Sequence, residues 1–209
     1  ASSMQQISML YTTAGKAAFI TCLYIMFVPL GASFLGRKIL RENWIGAALA
    51  LIGLYFLVLN EEFSVNRGDV ILFFSAFVWA AHILLVDRFA AKVDILELST
   101  AQIFMTMVLS FAAMLIFEAP TLSAITGAII PIAYGGVMSS GVAFTLQIYG
   151  QKYAEPSAAA ILMSFESIFG AVSSWLILGE EMSGREIFGC ALMIAGIFAT
   201  QWRVITGRN

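Results

Sequence analysis

Hydrophobic residues run through this sequence in stretches of about 20, and short segments that hold most of the charges separate them. At the 1.5 Å rise of an α-helix, such a stretch spans about 30 Å, the thickness of the hydrocarbon core of a bilayer. The pattern therefore predicts an all-α polytopic membrane protein, in which a helix stub at residues 1–11 precedes seven full spans. The predicted spans are 13–36, 43–60, 70–88, 96–117, 131–150, 157–178 and 187–205.

One segment between predicted spans, residues 119–130, carries few charges and contains Pro120 and Gly127. We expect it to lie at the membrane interface. Pro131 is expected to open the next helix, because proline at the first helical position removes an N–H that would have no helical partner anyway.

The composition narrows the possible classes of function. Hydrophobic residues make up 60% of the chain and charged residues 11%, with a mean hydropathy of +0.90, whereas a soluble domain carries about 25% charged residues. The net charge of −2 gives no reason to expect a nucleic-acid partner. No phosphate-binding loop, HExxH motif or plausible catalytic triad is present in the sequence, so we expect no enzyme, cofactor or metal site. Cys22 and Cys190 lie inside apolar runs and are interpreted as packing residues.

Basic residues are distributed unequally between the two sides that the spans define. One side carries eight of them and the other three, which by the positive-inside rule predicts a cytoplasmic C-terminus in a bacterial inner membrane. The eight are Arg37, Lys38, Arg41, Arg88, Lys92, Lys152, Arg203 and Arg208, and the three are Lys16, Arg67 and Arg185.

An internal repeat appears when the chain is shifted by 142 residues, or by 143 after a one-residue gap. The matched pairs are Gln5 with Gln147, Tyr11 with Tyr153, Ala17 with Ala159, Ala18 with Ala160, Phe27 with Phe169, Gly46 with Gly189, Ala48 with Ala191, Leu49 with Leu192, and Gly53 with Gly196. The predicted parts are the end of a first repeat (1–60), an external linker (61–69), a second repeat (70–205) and a cytoplasmic tail (206–209). A unit of five helices inverts its successor, and inverted repeats recur among transporters.

Four segments carry a resemblance to a known family: TTAGKAAFITCLYIMFVPL (12–30), FVWAAHILLVDRFAAKVD (77–94), residues 136–183, which begin GVMSSGVAF and end LILGEEMS, and IFGCALMIAGI (187–197). In their order and spacing they resemble an EamA-type permease of the drug/metabolite transporter superfamily. The resemblance implies ten helices in two inverted repeats, a central cavity and movement of small metabolites, often outward. It also implies that roughly the first three helices are absent, so we expect this chain alone not to be transport-competent. Many relatives read Glu-Pro where this chain has Glu166-Ser167.

Glu166 is the strongest candidate for a functional residue, because a carboxylate near the middle of an apolar span is costly. Under the shift of 142 it corresponds to Tyr24, which also lies near the middle of its span. The carboxylate can bind a cationic or amine group, or it can carry a coupling proton. The alternative is a structural carboxyl group that is hydrogen-bonded to a neighbouring helix.

Other polar side chains are weaker candidates for lining a substrate cavity. Trp79 and His82 share one helical face with Ser75 and can contact an aromatic or cationic solute, or they can simply pack. Gln102 and Gln147 can orient a zwitterion or bridge helices. Lys16 is interpreted as an anchor whose ammonium group reaches the interface; the alternative is that it guards an outer vestibule.

These observations predict a secondary transporter that exports small metabolites, such as amino acids, amines or drug-like solutes, by alternating access around a cavity at the midplane. The expected partners are a small-molecule substrate and the lipid bilayer, with a homodimer possible. The alternative hypothesis is a non-transporting membrane subunit or scaffold.

Overall fold

The computed structural model describes residues 1–58, 66–118, 120–179 and 182–206. Most of the predicted linker 61–69 and of the predicted tail 206–209 lies outside the described residues, as do Glu180 and Glu181 after the sixth predicted span. Every regular element in the described parts of the chain is a helix, which confirms the all-α prediction.

Twelve α-helices and two π-helical segments make up the described structure. The helices are α1 (Ser2–Ser8), α2 (Ala14–Thr21), α3 (Tyr24–Phe34), α4 (Arg41–Val58), α5 (Arg67–Ala90), α6 (Ile95–Phe117), α7 (Leu122–Gly127), α8 (Ile129–Tyr134), α9 (Phe144–Tyr153), α10 (Pro156–Met163), α11 (Glu166–Ser173) and α12 (Gly184–Thr206). The π-helical segments are Gly135–Ala143 and Ser174–Leu178.

Six stretches among the described residues are long and apolar enough to cross a membrane, and each matches one of the predicted spans. They are Lys16–Phe34, Arg41–Val58, Arg67–Ala90, Ile95–Phe117, Ile129–Tyr153 and Pro156–Ile177. The seventh predicted span, 187–205, falls on the 23-residue helix α12. That this helix crosses the membrane stays a prediction. Helix α8 begins at Ile129, so Pro131 is its third residue and does not open it as predicted.

The chain divides into two compact units. Residues 1–85 and 155–209 form the first unit, and residues 86–154 form the second. In the first unit, helix α4 contacts all four of the short helices α2, α3, α10 and α11. Its buried side chains Ala47, Ala50 and Leu54 belong to the main apolar core. Helix α4 is therefore the element against which the other helices of this unit are positioned.

The second unit is built on contacts of α6 with α9 and with the π-helical segment Gly135–Ala143. Ile148 of α9 packs with Val86 and Ala90 at the end of α5. The hydroxyl groups of Ser99 and Thr145 are hydrogen-bonded to each other, and Thr145 also donates to the carbonyl of Gly141. π-Helical segments often occur at functional positions in proteins.

Glycines allow α4 and α12 to approach until their backbones touch. A Cβ added at Gly53 would lie 2.5 Å from the carbonyl oxygen of Gly189, and one added at Gly189 would lie 2.5 Å from that of Gly53. Two turns away, a Cβ at Gly46 would lie 2.6 Å from the carbonyl oxygen of Gly196. Small residues at such contacts let membrane helices pack closely, and no larger side chain fits here.

We expect Gly53→Ala to destabilise the protein by about 1–3 kcal/mol, because the added methyl group has to displace the α12 backbone. Gly150→Ala is the matched control, since a Cβ at Gly150 meets nothing within 4 Å and alanine favours a helix over glycine. Thermal unfolding of the detergent-solubilised variants measures both effects. Equal unfolding midpoints for the two variants would show that the contact between α4 and α12 is not as tight as described.

Candidate functional site

The first predicted span is interrupted in its interior. Helix α2 ends at Thr21 and α3 begins at Tyr24, so Cys22 and Leu23 form a break. Across it the backbone changes to hydrogen bonds that reach three residues back: Leu23 N–H donates to the Ile20 carbonyl and Ile25 N–H to the Cys22 carbonyl. The predicted span 13–36 matches the observed span Lys16–Phe34, and the break lies inside it, where the last turn of α2 tightens.

The sixth predicted span is interrupted in the same way. Helix α10 ends at Met163 and α11 begins at Glu166, which leaves Ser164 and Phe165 between them. Phe165 N–H donates to the Leu162 carbonyl and Ser167 N–H to the Ser164 carbonyl. The predicted span 157–178 matches the observed span Pro156–Ile177, and this break lies in its interior.

The two breaks correspond residue for residue under the shift of 142. Cys22 and Leu23 fall on Ser164 and Phe165, and each hydrogen bond given above for the first break has its counterpart in the second. Neither break contains a proline, although proline is the commonest cause of such an interruption. At the second break the Ser164 hydroxyl donates to the Ile161 carbonyl at 2.7 Å, and serine bonded in this way bends helices.

Glu166 and Tyr24 therefore hold equivalent places, each as the first residue of the helix that follows a break. Tyr24 and Cys22 belong to the main apolar core, and α3 packs against α10, the helix that precedes Glu166. Tyr24 is 4% exposed and Cys22 is 1% exposed, whereas Glu166 is an exposed residue whose carboxyl group is largely surrounded by protein. The two equivalent positions thus hold a partly surrounded carboxyl group and a buried phenol.

Trp79 and His82 lie on α5 with their rings edge to face, 5.5 Å apart between centroids. Both side chains are half-buried. Trp79 packs against the apolar core that contains Tyr24, so the structure brings it to the neighbourhood of the breaks. Ser75, one turn earlier on α5, is fully buried and donates to the Ala1 carbonyl.

Gln102 and Gln147 belong to the second unit, where they are half-buried on α6 and α9. The Nε2 group of Gln147 is buried without a hydrogen-bond partner among the described residues. One turn further along α9, Gln151 is 3% exposed, and both polar atoms of its amide lack a partner in the described structure. These amides give α9 a face that carries unused hydrogen-bonding capacity.

A second polar cluster lies at the start of α5. The Asp69 carboxylate accepts from Lys16 Nζ at 2.8 Å, from the Thr12 hydroxyl at 2.8 Å and from the Asn66 N–H at 2.9 Å. Lys16 is 8% exposed and Asp69 is 7% exposed. The expectation that Lys16 anchors the protein at the interface was therefore wrong, because its ammonium group is bound inside the protein.

Sequence reasoning did not pair Lys16 with Asp69, although a signal was present. Both residues come at the start of a predicted span, and the predicted topology places these two ends on the same side. Opposite charges at such positions are candidates for an ion pair, since either one alone is costly inside the protein.

Thr21 is a further polar residue at the first break. It is 5% exposed, and its hydroxyl oxygen has no hydrogen-bond partner in the part of the chain that the structure describes. Thr21 precedes Tyr24 by three residues, but nothing in the sequence indicated that its hydroxyl is buried without a partner. Such a group carries a desolvation cost that a bound solute can relieve.

Comparison with known proteins decides the family. Residues 66–201 match the EamA-like transporter family. The chain belongs to this family. The match confirms the resemblance in the sequence, and together with the apolar spans it identifies a multi-pass membrane protein of a transporter family.

Two relatives of the EamA-like chain are uncharacterized transporters. The one from Archaeoglobus fulgidus is 27% identical over 203 residues, which are 97% of this chain and 65% of the relative. The Bacillus subtilis transporter YoaV is 24% identical over 196 residues, which are 91% of this chain and 67% of the relative. This chain thus spans about two thirds of the length of these relatives. A crystal structure with 20% sequence identity has the same fold, with a TM-score of 0.75 over 99% of this chain and 73% of the other.

We expect Asp69→Asn to destabilise the protein by about 3–5 kcal/mol, because Lys16 would remain buried without its carboxylate. Asp94→Asn is the matched control, since Asp94 is an exposed N-cap and asparagine caps a helix equally well. Chemical unfolding in mixed micelles measures the difference. The exchanged pair, Lys16→Asp with Asp69→Lys, should recover part of the loss, and a double variant no better than Asp69→Asn would contradict direct pairing.

Thr21→Val should leave the unfolding midpoint unchanged or raise it, because the variant removes a buried hydroxyl group that has no protein partner. Thr145→Val should lower stability by about 1 kcal/mol, since it removes the hydrogen bonds to Ser99 and Gly141. Thermal unfolding of both variants compares the two hydroxyls. A loss for Thr21→Val as large as that for Thr145→Val would show that the Thr21 hydroxyl has a structural partner.

Proposed function

We propose that this protein is a secondary transporter that exports small metabolites carrying an amine or another cationic group. The observation that carries the proposal is the Glu166 carboxyl group at a helix break, in a span that packs through α10 against α3, which begins at the equivalent break. Transporters built from repeats commonly place substrate and coupling ions at interrupted helices near the midplane.

The depth of Glu166 supports this site. Glu166 is the eleventh residue of the 22-residue span Pro156–Ile177, about 15 Å from its start and close to the bilayer centre. An ionised carboxylate there costs about 2.5–3.5 kcal/mol on insertion scales. That cost is offset when the carboxylate is protonated or when it holds a cationic solute, and the partly buried rings of Trp79 and His82 can contact such a solute.

The contact between α4 and α12 supports two inverted repeats in residues 1–60 and 70–205. When two repeats are related by a two-fold axis, the contacts between them come in crossed pairs. If residue i of the first repeat contacts the equivalent of residue j in the second, then residue j of the first contacts the equivalent of residue i in the second. Gly46 and Gly53 are equivalent to Gly189 and Gly196, and the observed contacts are crossed in this sense, Gly46 with Gly196 and Gly53 with Gly189. The matched breaks agree with the same relation.

Alternating access follows from these elements. Each break joins two short helices, α2 with α3 and α10 with α11, so each span can bend there without disturbing a full-length hydrogen-bond ladder. The glycine contact holds α4 against α12 as the fixed wall. Closing one end and opening the other would then expose the Glu166 carboxylate to each side in turn.

The proposed orientation places the C-terminus and the loop of Arg37, Lys38 and Arg41 in the bacterial cytoplasm. Helix α4 separates this loop from Arg185, whose guanidinium lies 5.4 Å from the Tyr55 ring centroid near the other end of the helix. The two sets of basic residues are thus at opposite ends of α4, as the positive-inside assignment requires.

Flux measurements in proteoliposomes test the proposal. The full-length protein should move labelled amines or basic amino acids, with faster flux down a proton gradient of one sign. Neutral sugars of similar size should not compete, because they cannot pair with a carboxylate. No flux for any solute across a broad panel would contradict transport and favour a non-transporting subunit.

Glu166→Gln separates the roles of the carboxylate. If Glu166 carries the coupling proton, we expect the variant to abolish the dependence of flux on the proton gradient. If Glu166 binds an amine directly, we expect the variant to raise KM by tenfold or more, because a charge-assisted hydrogen bond is lost. Glu97→Gln is the matched control, because Glu97 is exposed in the first turn of α6. Normal gradient-driven flux and unchanged KM in Glu166→Gln would exclude both functions.

A further inference from the structure

The loop between α3 and α4 borders an open cavity of about 610 Å³ that none of the transport residues lines. A ligand-sized pocket falls in the range of about 300–1,000 Å³. Three of its lining residues are basic and one is acidic, so the wall carries a net positive charge. The lining residues are Ser33, Arg37, Lys38, Ile39, Leu40, Arg41, Glu42 and Trp44.

The backbone of this loop is shaped by a glycine. Gly36 has a φ of +80°, a conformation that costs other residues a steric penalty. Around it the N–H groups of Gly36 and Arg37 donate to the carbonyls of Ser33 and Ala32, which is the pattern that ends a helix with a left-handed residue. The chain therefore leaves the axis of α3 abruptly, and residues 37–40 line the cavity before α4 begins.

Two basic side chains of the cavity, Lys38 and Arg41, are available to a ligand. Lys38 and Arg41 are exposed, and in the described residues neither forms an ion pair with a carboxylate. They lie three residues apart and line the same cavity. Ammonium and guanidinium groups side by side bind phosphate oxygens by charge-assisted hydrogen bonds.

The position of the cavity indicates an amphiphile as its occupant. It lies where the span Lys16–Phe34 ends and the span Arg41–Val58 begins, which is the level of the lipid headgroups. Phe34 is 91% exposed and Leu35 is 60% exposed directly before the loop, so apolar surface adjoins the basic wall. Trp44, half-buried in the lining, is a residue type enriched at this level.

We propose that this cavity binds the phosphodiester headgroup of one anionic phospholipid, with Lys38 and Arg41 on the phosphate and the acyl chains along Phe34 and Leu35. A free phosphate would use the basic residues and leave the exposed apolar surface uncovered, so the lipid accounts for more of the observed surface. Asn43, just inside α4, donates to the Glu155 carboxylate at 3.4 Å, and Glu155 is the N-cap of α10. The end of α4 beside the cavity therefore contacts the start of the span that contains Glu166.

Native mass spectrometry of the full-length protein tests this site with phosphatidylglycerol and phosphatidylcholine as probes. We expect one phosphatidylglycerol to be retained per chain in preference to phosphatidylcholine. Lys38→Gln with Arg41→Gln should weaken phosphatidylglycerol binding about 30-fold. Each basic residue near the membrane surface contributes about 1 kcal/mol to the binding of anionic lipid, and each 1.4 kcal/mol corresponds to a tenfold change in affinity. The single variant Lys38→Gln, which alters the fold least, should weaken it about fivefold.

Arg88→Gln with Lys92→Gln is the matched control, because it removes one arginine and one lysine that are exposed elsewhere on the chain. This control should retain the lipid with unchanged affinity. Equal retention of the two lipids, or equal losses in the control and in Lys38→Gln, would overturn the proposal. Displacement of the bound lipid by excess inorganic phosphate would overturn it in favour of a soluble anion, whereas no displacement supports the headgroup.

Discussion

A backbone N–H or C=O group without a hydrogen-bond partner costs several kcal/mol in the hydrocarbon of a bilayer. The two interrupted spans of this protein therefore need hydrogen-bond partners for the backbone groups at their breaks. At both breaks, backbone N–H groups donate to the carbonyl three residues earlier. The breaks also lie in the protein interior, where Cys22 is 1% exposed and Ser164 is fully buried. An interrupted helix is thus tolerated because protein, and not lipid, surrounds the interruption.

The interior that surrounds the breaks depends on α4. This helix contacts both halves of both broken spans, and it can lie that deep because Gly46 and Gly53 let α12 approach its backbone on the opposite side. Close packing without large side chains leaves the contact rigid. The proposed alternating access depends on this arrangement, a close helix contact behind two interrupted spans.

The carboxyl groups of Asp69 and Glu166 lie in different environments. Asp69 is buried and accepts hydrogen bonds from Lys16, Thr12 and the backbone, so its charge is fully compensated and its role is to fix helix ends together. Glu166 is an exposed residue, whereas Tyr24 at the equivalent position is buried. The Asp69 carboxylate is structural because the protein supplies its hydrogen bonds, and we propose that the Glu166 carboxyl group serves a solute or a proton.

The sequence by itself determined the helical class, six of the spans, the family and the equivalence of Glu166 with Tyr24, because these follow from apolar length, residue order and internal similarity. It did not determine that both equivalent spans break, since neither break contains proline and the interruption arises from hydrogen bonds between residues three apart. Nor did it determine that Lys16 is paired with Asp69, that Thr21 is buried without a partner, or that Gly46 lies on Gly196. Those facts depend on which helix faces which, and only tertiary packing decides that.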